Sequence, residues 1–410
     1  MTQTSARPPN AVGLRPTGLF PMGLAAWIVT AVFMLSNSPT PLYVHWQDQL
    51  GFSSGMLTVI FAAYTVGLLL TLTVAGQLAD RFGRKPVLIP GLILAMLACG
   101  LFAFAPSVLA LVAARFLTGI AVGVIVSAGM AAVVDAGGPA RRRQASLAAS
   151  VAMVLGAGLG PLLSGLFTQT LPNPAPTVFA VAFILLATAL TVAFFLPRRP
   201  PLSHRAGDQS PVAFRFRLPT VPKPNRHHVL YGIAVFAPGI TATSFVLALG
   251  PSLLADLLHA SSPLIAGAMS GAMFLAATGV QFAVHRLPVR SVLLLGSTST
   301  TLAMVSLITA VTVSHPAPLI VAALLAGIGQ GLGQLGGLTL IGTNVPANHR
   351  AEANAVLNIG GYIPAGLLAV ATGYLTDSLG LSVSVTLFAI LLSLAALTCG
   401  TLILRNFPRN

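Results

Sequence analysis

Acidic residues are nearly missing from this chain: seven in 410, against 21 Lys and Arg. Charge of either sign makes up only 7% of the residues, where a soluble domain carries about 25%. That shortage excludes an ordinary water-facing surface. There are two cysteines, Cys99 and Cys399, both inside apolar runs. They offer no disulfide framework and no thiolate metal site, and read as packing residues. No Gly-Lys-Ser/Thr phosphate loop is present, so ATP is not expected to be the energy source. No Asp, Glu or His falls near the centre of a long apolar run. Asp48, Asp256 and Asp377 sit at run ends on one side, and Asp80, Asp135 and Glu352 at run ends on the other. Catalysis inside a membrane needs clustered acid–base or metal-binding groups at depth, so neither an enzyme nor a resident cofactor or metal is expected. A receptor would call for a soluble output domain, and the longest loop is only about 30 residues.

What fills the chain instead is apolar: 55% hydrophobic residues and a mean hydropathy of +0.90. Runs long enough to cross ~30 Å of hydrocarbon as helices recur from about residue 18 to about 404. They divide into twelve, at about 20–43, 54–78, 87–105, 108–134, 146–170 and 177–196, then 229–256, 264–284, 291–312, 318–343, 352–377 and 382–404. The expected class is an all-α polytopic membrane protein with the lipid bilayer as its main partner. The first 17 residues are polar, and the run that follows reads as a permanent span rather than a cleaved signal.

The basic residues sort onto one side. Arg7 and Arg15 precede the first span; Arg81, Arg84 and Lys85, Arg141–Arg143, the seven from Arg198 to Arg226, Arg286 and Arg290, and Arg350 occupy alternate loops; Arg405 and Arg409 follow the last span. The other loops hold none. Positive charge stays cytoplasmic during insertion, so both termini are expected in the cytoplasm, in a membrane of the bacterial inner (cell) membrane type. The net charge of +14 is therefore a topology signal, and no nucleic acid partner is expected.

Seven prolines and seven basic residues crowd Pro197–His228, which reads as a cytoplasmic linker. The expected layout is a tail (1–17), a six-helix bundle (18–196), the linker (197–228), a second six-helix bundle (229–404) and a tail (405–410). The halves repeat weakly. Leu117–Gly123 (LTGIAVG) matches Leu325–Gly331 (LAGIGQG) at a shift of 208, Pro139–Arg143 matches Pro346–Arg350 at 207, and Ala31–Phe33 recurs at Ala234–Phe236. Parallel six-span halves around a midplane site are a secondary-transporter architecture.

The loop after the second span reads GQLADRFGRKP over Gly76–Pro86. Here the chain resembles the major facilitator superfamily, whose signature between spans 2 and 3 is G-x-L-a-D-r-x-G-r-k. The resemblance implies a loop that latches the two halves at the cytoplasmic face when the cavity opens outward, with Gly76, Asp80, Arg81, Gly83, Arg84 and Lys85 as its members. Asp135, closing the fourth span, stands where the family often carries an acid that pairs with the motif's second arginine, here Arg84. Physically, Gly76 permits a close neighbour, Gly83 a tight reversal, and Asp80 a pair with Arg84 or a helix cap. The second-half counterpart, His285–Arg290, lacks the acid and both glycines, so the latch is expected to be one-sided.

Arg115–Gly123 (RFLTGIAVG) is similar to the family's fourth-span motif of an arginine and spaced glycines, here Gly119 and Gly123. A guanidinium at depth costs about 2.5–3.5 kcal/mol on insertion scales, so it faces a cavity or a partner. Two roles stand open for Arg115: proton coupling or binding of an anionic or polar group, or bonding to backbone carbonyls that stiffens the half. Gly156–Gly165 (GAGLGPLLSG) resembles the antiporter motif G-x-x-x-G-P-x-x-G-G with Ser164 in place of one glycine. Gly156, Gly160 and Gly165 allow close packing and Pro161 a bend. That element implies an exporter of the drug:proton antiporter branch.

The cavity is expected between spans 1, 4, 7 and 10. Asn37, Thr40, Tyr64, Thr241, Ser244, Gln330, Gln334 and Asn358 are its candidate polar contacts, and Phe33, Met130, Phe245, Met269, Met273 and Tyr362 an adaptable apolar wall. With no acid at depth, small amphipathic substrates that are neutral or weakly anionic are expected, driven by a proton gradient and handled by a monomer. Export or uptake of a sugar or organic acid, and movement of a lipid on the same fold, are the alternatives.

Overall fold

Helix starts in this chain are written by serine and proline. Ser53, Ser107 and Ser262 each accept a hydrogen bond from the third amide of the helix that follows, and Pro174, Pro263 and Pro316 take first helical positions, where no amide is needed. The computed structural model describes residues 18–196, 220–257, 259, 262–284, 286–346 and 349–407, with no strand among them. Twelve helices among the described residues are long and apolar enough to cross a membrane. They are α1 (Leu19–Leu50), α2 (Ser54–Phe82), α3 (Lys85–Ala103), α4 (Val108–Gly137), α5 (Arg142–Thr170), α6 (Pro174–Phe195), α7 (Arg226–Ser252), α8 (Pro263–Ala283), α9 (Val289–Val313), α10 (Pro316–Asn344), α11 (Arg350–Leu379) and α12 (Leu381–Asn406). Six precede residues 197–219 and six follow them. Most of the expected linker, and the expected tail 1–17, lie outside the described residues, as do Arg198, Arg409 and His285.

Two of the boundary shifts bear on the site. The first span runs on to Leu50, because Pro39 and Pro41 interrupt it without ending it: helix stops at Asn37, a 3-10 turn covers Thr40–Leu42, and helix resumes over Tyr43–Leu50. The seventh helix begins at Arg226, earlier than the apolar run, behind a 3-10 turn at Lys223–Asn225. Asn225 Nδ2 ties that start to the Asn344 carbonyl at the end of α10, 2.7 Å away. Two helices carry a stretch of π winding, Ile125–Gly129 within α4 and Leu253–Leu257 continuing α7, a feature often found where a helix serves a function.

Glycine carries the packing, and it does so twice. A Cβ on Gly119 or Gly67 would run into Tyr64 O or Phe116 O, so α2 and α4 cross with backbones touching. The repeat partners of Gly119 and Gly123 are Gly327 and Gly331, and these press α10 onto α8 at Met273 O and Ala277 O. The weak sequence repeat thus marks the same crossing in each half. Gly156 and Gly160 bring α5 against Thr30 O and Met34 O of α1. Such contact replaces the hydrophobic drive that lipid cannot supply between helices.

Two seams join the halves, α5 to α8 and α2 to α11. Gly158 meets Gly271, Gly267 meets Pro161 O and Gly165 meets Pro263 O along the first; Gly373 meets Thr58 and Ser54 along the second. These contacts lie toward the end away from the basic loops, called here the far end. Hydrogen bonds between described residues of the two halves lie there too: Ser54 and Gly55 to Asp377, Ser252 to Gln47, Ser262 to Gln169. Toward the basic end the facing surfaces part. No hydrogen bond between described residues crosses there, and nothing stands within 4 Å of a Cβ placed on Gly76, Gly279 or Gly342.

Candidate functional site

The break in α1 leaves carbonyls at the end of its first segment short of amides. Arg115, two turns into α4, fills that need. Its side chain is 1% exposed. Nη1 donates to the Ser36 carbonyl at 2.7 Å and Nε donates to the Tyr43 hydroxyl, on either side of the break. The guanidinium carbon stands 5.1 Å from the Tyr43 ring centroid and 5.3 Å from that of Phe61 on α2, within cation–π range. Nη2 has no hydrogen-bond partner among the described residues, and neither does the buried Thr40 hydroxyl. Tyr43 is in turn braced by Trp46, which stacks on Phe102 and Phe179 at 5.8 and 6.1 Å. In this conformation Arg115 is closed off from water and bonds a carbonyl and a phenol. Of the two roles left open by the sequence, this is the geometry of the second.

Around this nest the candidate polar residues divide. Asn37 joins it, donating from Nδ2 to Ser36 Oγ at 3.0 Å. Tyr64 on α2 and Tyr362 on α11 are both half-buried. Tyr362 also packs edge-on against Phe236 of α7 at 6.2 Å. Thr241 spends its hydroxyl on its own helix at Ala237 O, and Asn358 donates to Asn354 O. Ser244 is buried; Gln330 and Gln334 are half-buried, with Gln330 at the crossing where Gly239 of α7 meets its backbone. None of Thr241, Ser244, Gln330, Gln334 and Asn358 bonds a first-half residue among the described residues. Of the expected apolar wall, Phe245, Met269 and Met273 are core residues.

At the basic end, Gly83 takes φ 91°, the reversal its position demands. Arg84 Nε stands 3.7 Å from Asp135 Oδ2, joining the loop after α2 to the end of α4 within one half. Lys85 Nζ donates to the Phe194 carbonyl at the end of α6, where a cation meets the negative helix terminus. Arg81 lies over the Phe82 ring at 5.3 Å. Asp80 falls in the last turn of α2, its side chain outside the described residues. In this conformation nothing among the described residues stands within 4 Å of a Cβ added at Gly76. The parting of the halves at this end is the reason. Among the described residues no cluster of three or more His, Cys, Asp or Glu could hold a metal ion.

Sequence reasoning missed Ser36, Tyr43 and Phe61. The available signal was the Pro39/Pro41 pair, since a proline-broken span must shed carbonyls that only a donor from another helix can satisfy.

The sequence pattern described as the Major Facilitator Superfamily matches residues 24–290 and 233–410. Multidrug resistance protein MdtL of Escherichia coli O9:H4 (strain HS) is 30% identical over 158 residues, 38% of this chain and 40% of that protein. MdtL of E. coli K12/DH10B is 29% identical over the same length. The chain thus spans about two fifths of the length of these relatives. Among solved structures, a peptide transporter POT in complex with alafosfalin superposes with a TM-score of 0.75 at 15% identity, over 97% of this chain and 96% of that one. The nucleoside transporter NupG gives 0.70 at 12%, over 94% and 100%. At such identities the likeness is one of fold.

Proposed function

The chain belongs to the Major Facilitator Superfamily, and from that premise we propose that it is a secondary active transporter exporting small amphipathic, neutral or weakly anionic compounds in exchange for protons. The observation that carries the reading is the asymmetry of the seams: the halves are joined at the far end and apart at the basic end, one of the two states that alternating access requires. Positive-inside orientation makes the open end cytoplasmic, where an exporter loads. The MdtL similarity, though partial, supports drug-like cargo. Energy comes from the proton gradient, and the working unit is the monomer.

Cargo chemistry follows from what the spans hold at depth: phenols, amides and hydroxyls, one enclosed cation, Arg115, and no acid. A cationic substrate finds no counter-charge there. The unpartnered Nη2 of Arg115 favours organic acids as a second reading, reached when the nest around Tyr43 loosens.

Vesicles reconstituted with the purified chain, given a panel of neutral, anionic and cationic amphiphiles with and without an imposed pH gradient, test this directly. Neutral or anionic compounds are expected to accumulate with the gradient and to leak when it is collapsed; accumulation blind to the gradient rules out proton exchange. The Arg84–Asp135 contact gives a second test. At 25% and 31% exposure this pair contributes at most about 1 kcal/mol to stability. Asp135→Asn is therefore expected to leave the melting temperature within a few degrees and to lower transport several-fold. Wild-type transport by that variant removes the latch.

A further inference from the structure

A helix begins with amides its own backbone cannot satisfy. At the start of α2, Ser53 of the same half accepts only the third, from Met56 N at 3.2 Å. The first two are met from the other half: Ser54 N donates to Asp377 Oδ1 at 2.9 Å and Gly55 N to Asp377 Oδ2 at 3.0 Å. The fit is close. A Cβ on Gly55 would stand 2.6 Å from Asp377 Oδ2 and 2.7 Å from Tyr374 Cδ1, and one on Gly373 would stand 2.8 Å from Ser54 O. Position 55 accepts only glycine while α11 is docked. No far-end loop contains Lys or Arg, so this carboxylate meets backbone amides and the positive terminus of α2 where a basic side chain would otherwise serve.

We infer that Asp377 is a clasp between the halves, holding the far end shut by capping the first two amides of α2 from across the seam. The inference rests on the alternating-access reading and adds the part that sets the resting state. Opening the far end must carry α11 away from α2, and both bonds then break together. Asp377 is exposed, so water takes over the carboxylate and the two amides as they separate. The clasp thus has defined geometry and releases without stranding a buried polar group.

The other far-end seam, on the α8 side, supplies a reporter. An apolar cavity of about 50 Å³ at the far-end seam is lined by Pro41 and Val44 of one half and by Pro251, Leu254, Pro263 and Ala266 of the other. Ala266 is 4% exposed, so a cysteine there reacts with a soluble maleimide only when the seam parts. The experiment uses the full chain in lipid nanodiscs with Cys99 and Cys399 replaced by alanine and Ala266→Cys added. Asp377→Asn keeps the shape but loses the charge and one acceptor, and is expected to raise the labelling rate about five- to tenfold. Ser53→Ala removes the cap made within the half and is expected to leave labelling within about twofold. Unchanged labelling in Asp377→Asn overturns the clasp, as does equal acceleration by both variants, which would mean simple fraying of α2. Transport is read separately in vesicles: if labelling shifts as expected while the wild-type chain pumps no substrate, the transporter reading fails and the clasp stands.

Discussion

Replacing Arg115 with alanine is expected to lower stability by about 3–5 kcal/mol and to abolish transport. The loss has named parts. The Ser36 carbonyl and the Tyr43 hydroxyl are left without their donor, at about 1–3 kcal/mol for each buried group stranded. The cation–π contacts with Tyr43 and Phe61 go with the charge. Against this, a costly charge at depth is removed, about 2.5–3.5 kcal/mol on insertion scales. The balance still favours destabilisation, because the insertion cost is set for an unpartnered charge and this one is partnered. Two stranded neutral groups at about 1–3 kcal/mol each bracket the expected loss. Arg115→Met restores the stem without the donors and separates packing from polarity. Arg115→Lys keeps the charge but lacks the planar fork that reaches Ser36 and Tyr43 at once, and is expected to fall between. Thermal unfolding in detergent reads the order: arginine, lysine, methionine, alanine. A methionine variant as stable as the parent would show that these bonds do not hold the break in α1.

The second large effect is expected at Gly119. A Cβ there overlaps Tyr64 O and stands 2.9 Å from Leu68 N, both backbone atoms. Backbone yields only by moving α2 away from α4, which also disturbs Gly67 and Gly123. Gly119→Val is expected to destabilise by more than about 4 kcal/mol and to leave little monodisperse protein on gel filtration. Gly331→Val, at the equivalent crossing of the second half, meets Ala277 O and is expected to do the same. Gly100→Val is the control, since nothing lies within 4 Å of its added Cβ. If Gly119→Val eluted like Gly100→Val, the close crossing of α2 and α4 would be wrong.

Span number and order were legible in the sequence because lipid imposes them: a helix that must bury its backbone polarity for 20 residues announces itself. The glycine repeat was legible too, and Gly119 and Gly327 show why. Both mark a place where one helix touches another's carbonyls, which only glycine allows. Tyr43, Ser36 and Phe61 were not, because their role comes from a neighbour 72 to 79 residues away in the case of the two hydrogen bonds. Thr241 shows the opposite difficulty. A hydroxyl at membrane depth reads as a ligand, yet most hydroxyls here bond the carbonyl four residues back, so their presence carries little information. Gly76 was read as a contact point, and the open basic end leaves it without one in this conformation.

The unequal ends of the molecule have a further consequence for anything passing through. Arg84, Lys85, Arg141 and Arg142 lie at the basic end, whereas Asp48, Asp256 and Asp377 lie at the far end, where no loop holds Lys or Arg. Fields of this kind act over about one Debye length, ~8 Å at physiological salt. If the chain exports as proposed above, a weak acid is expected to be gathered at the basic mouth and repelled from the far one. On that reading, the charge sorting that first orients the chain in the bilayer would double as an electrostatic valve.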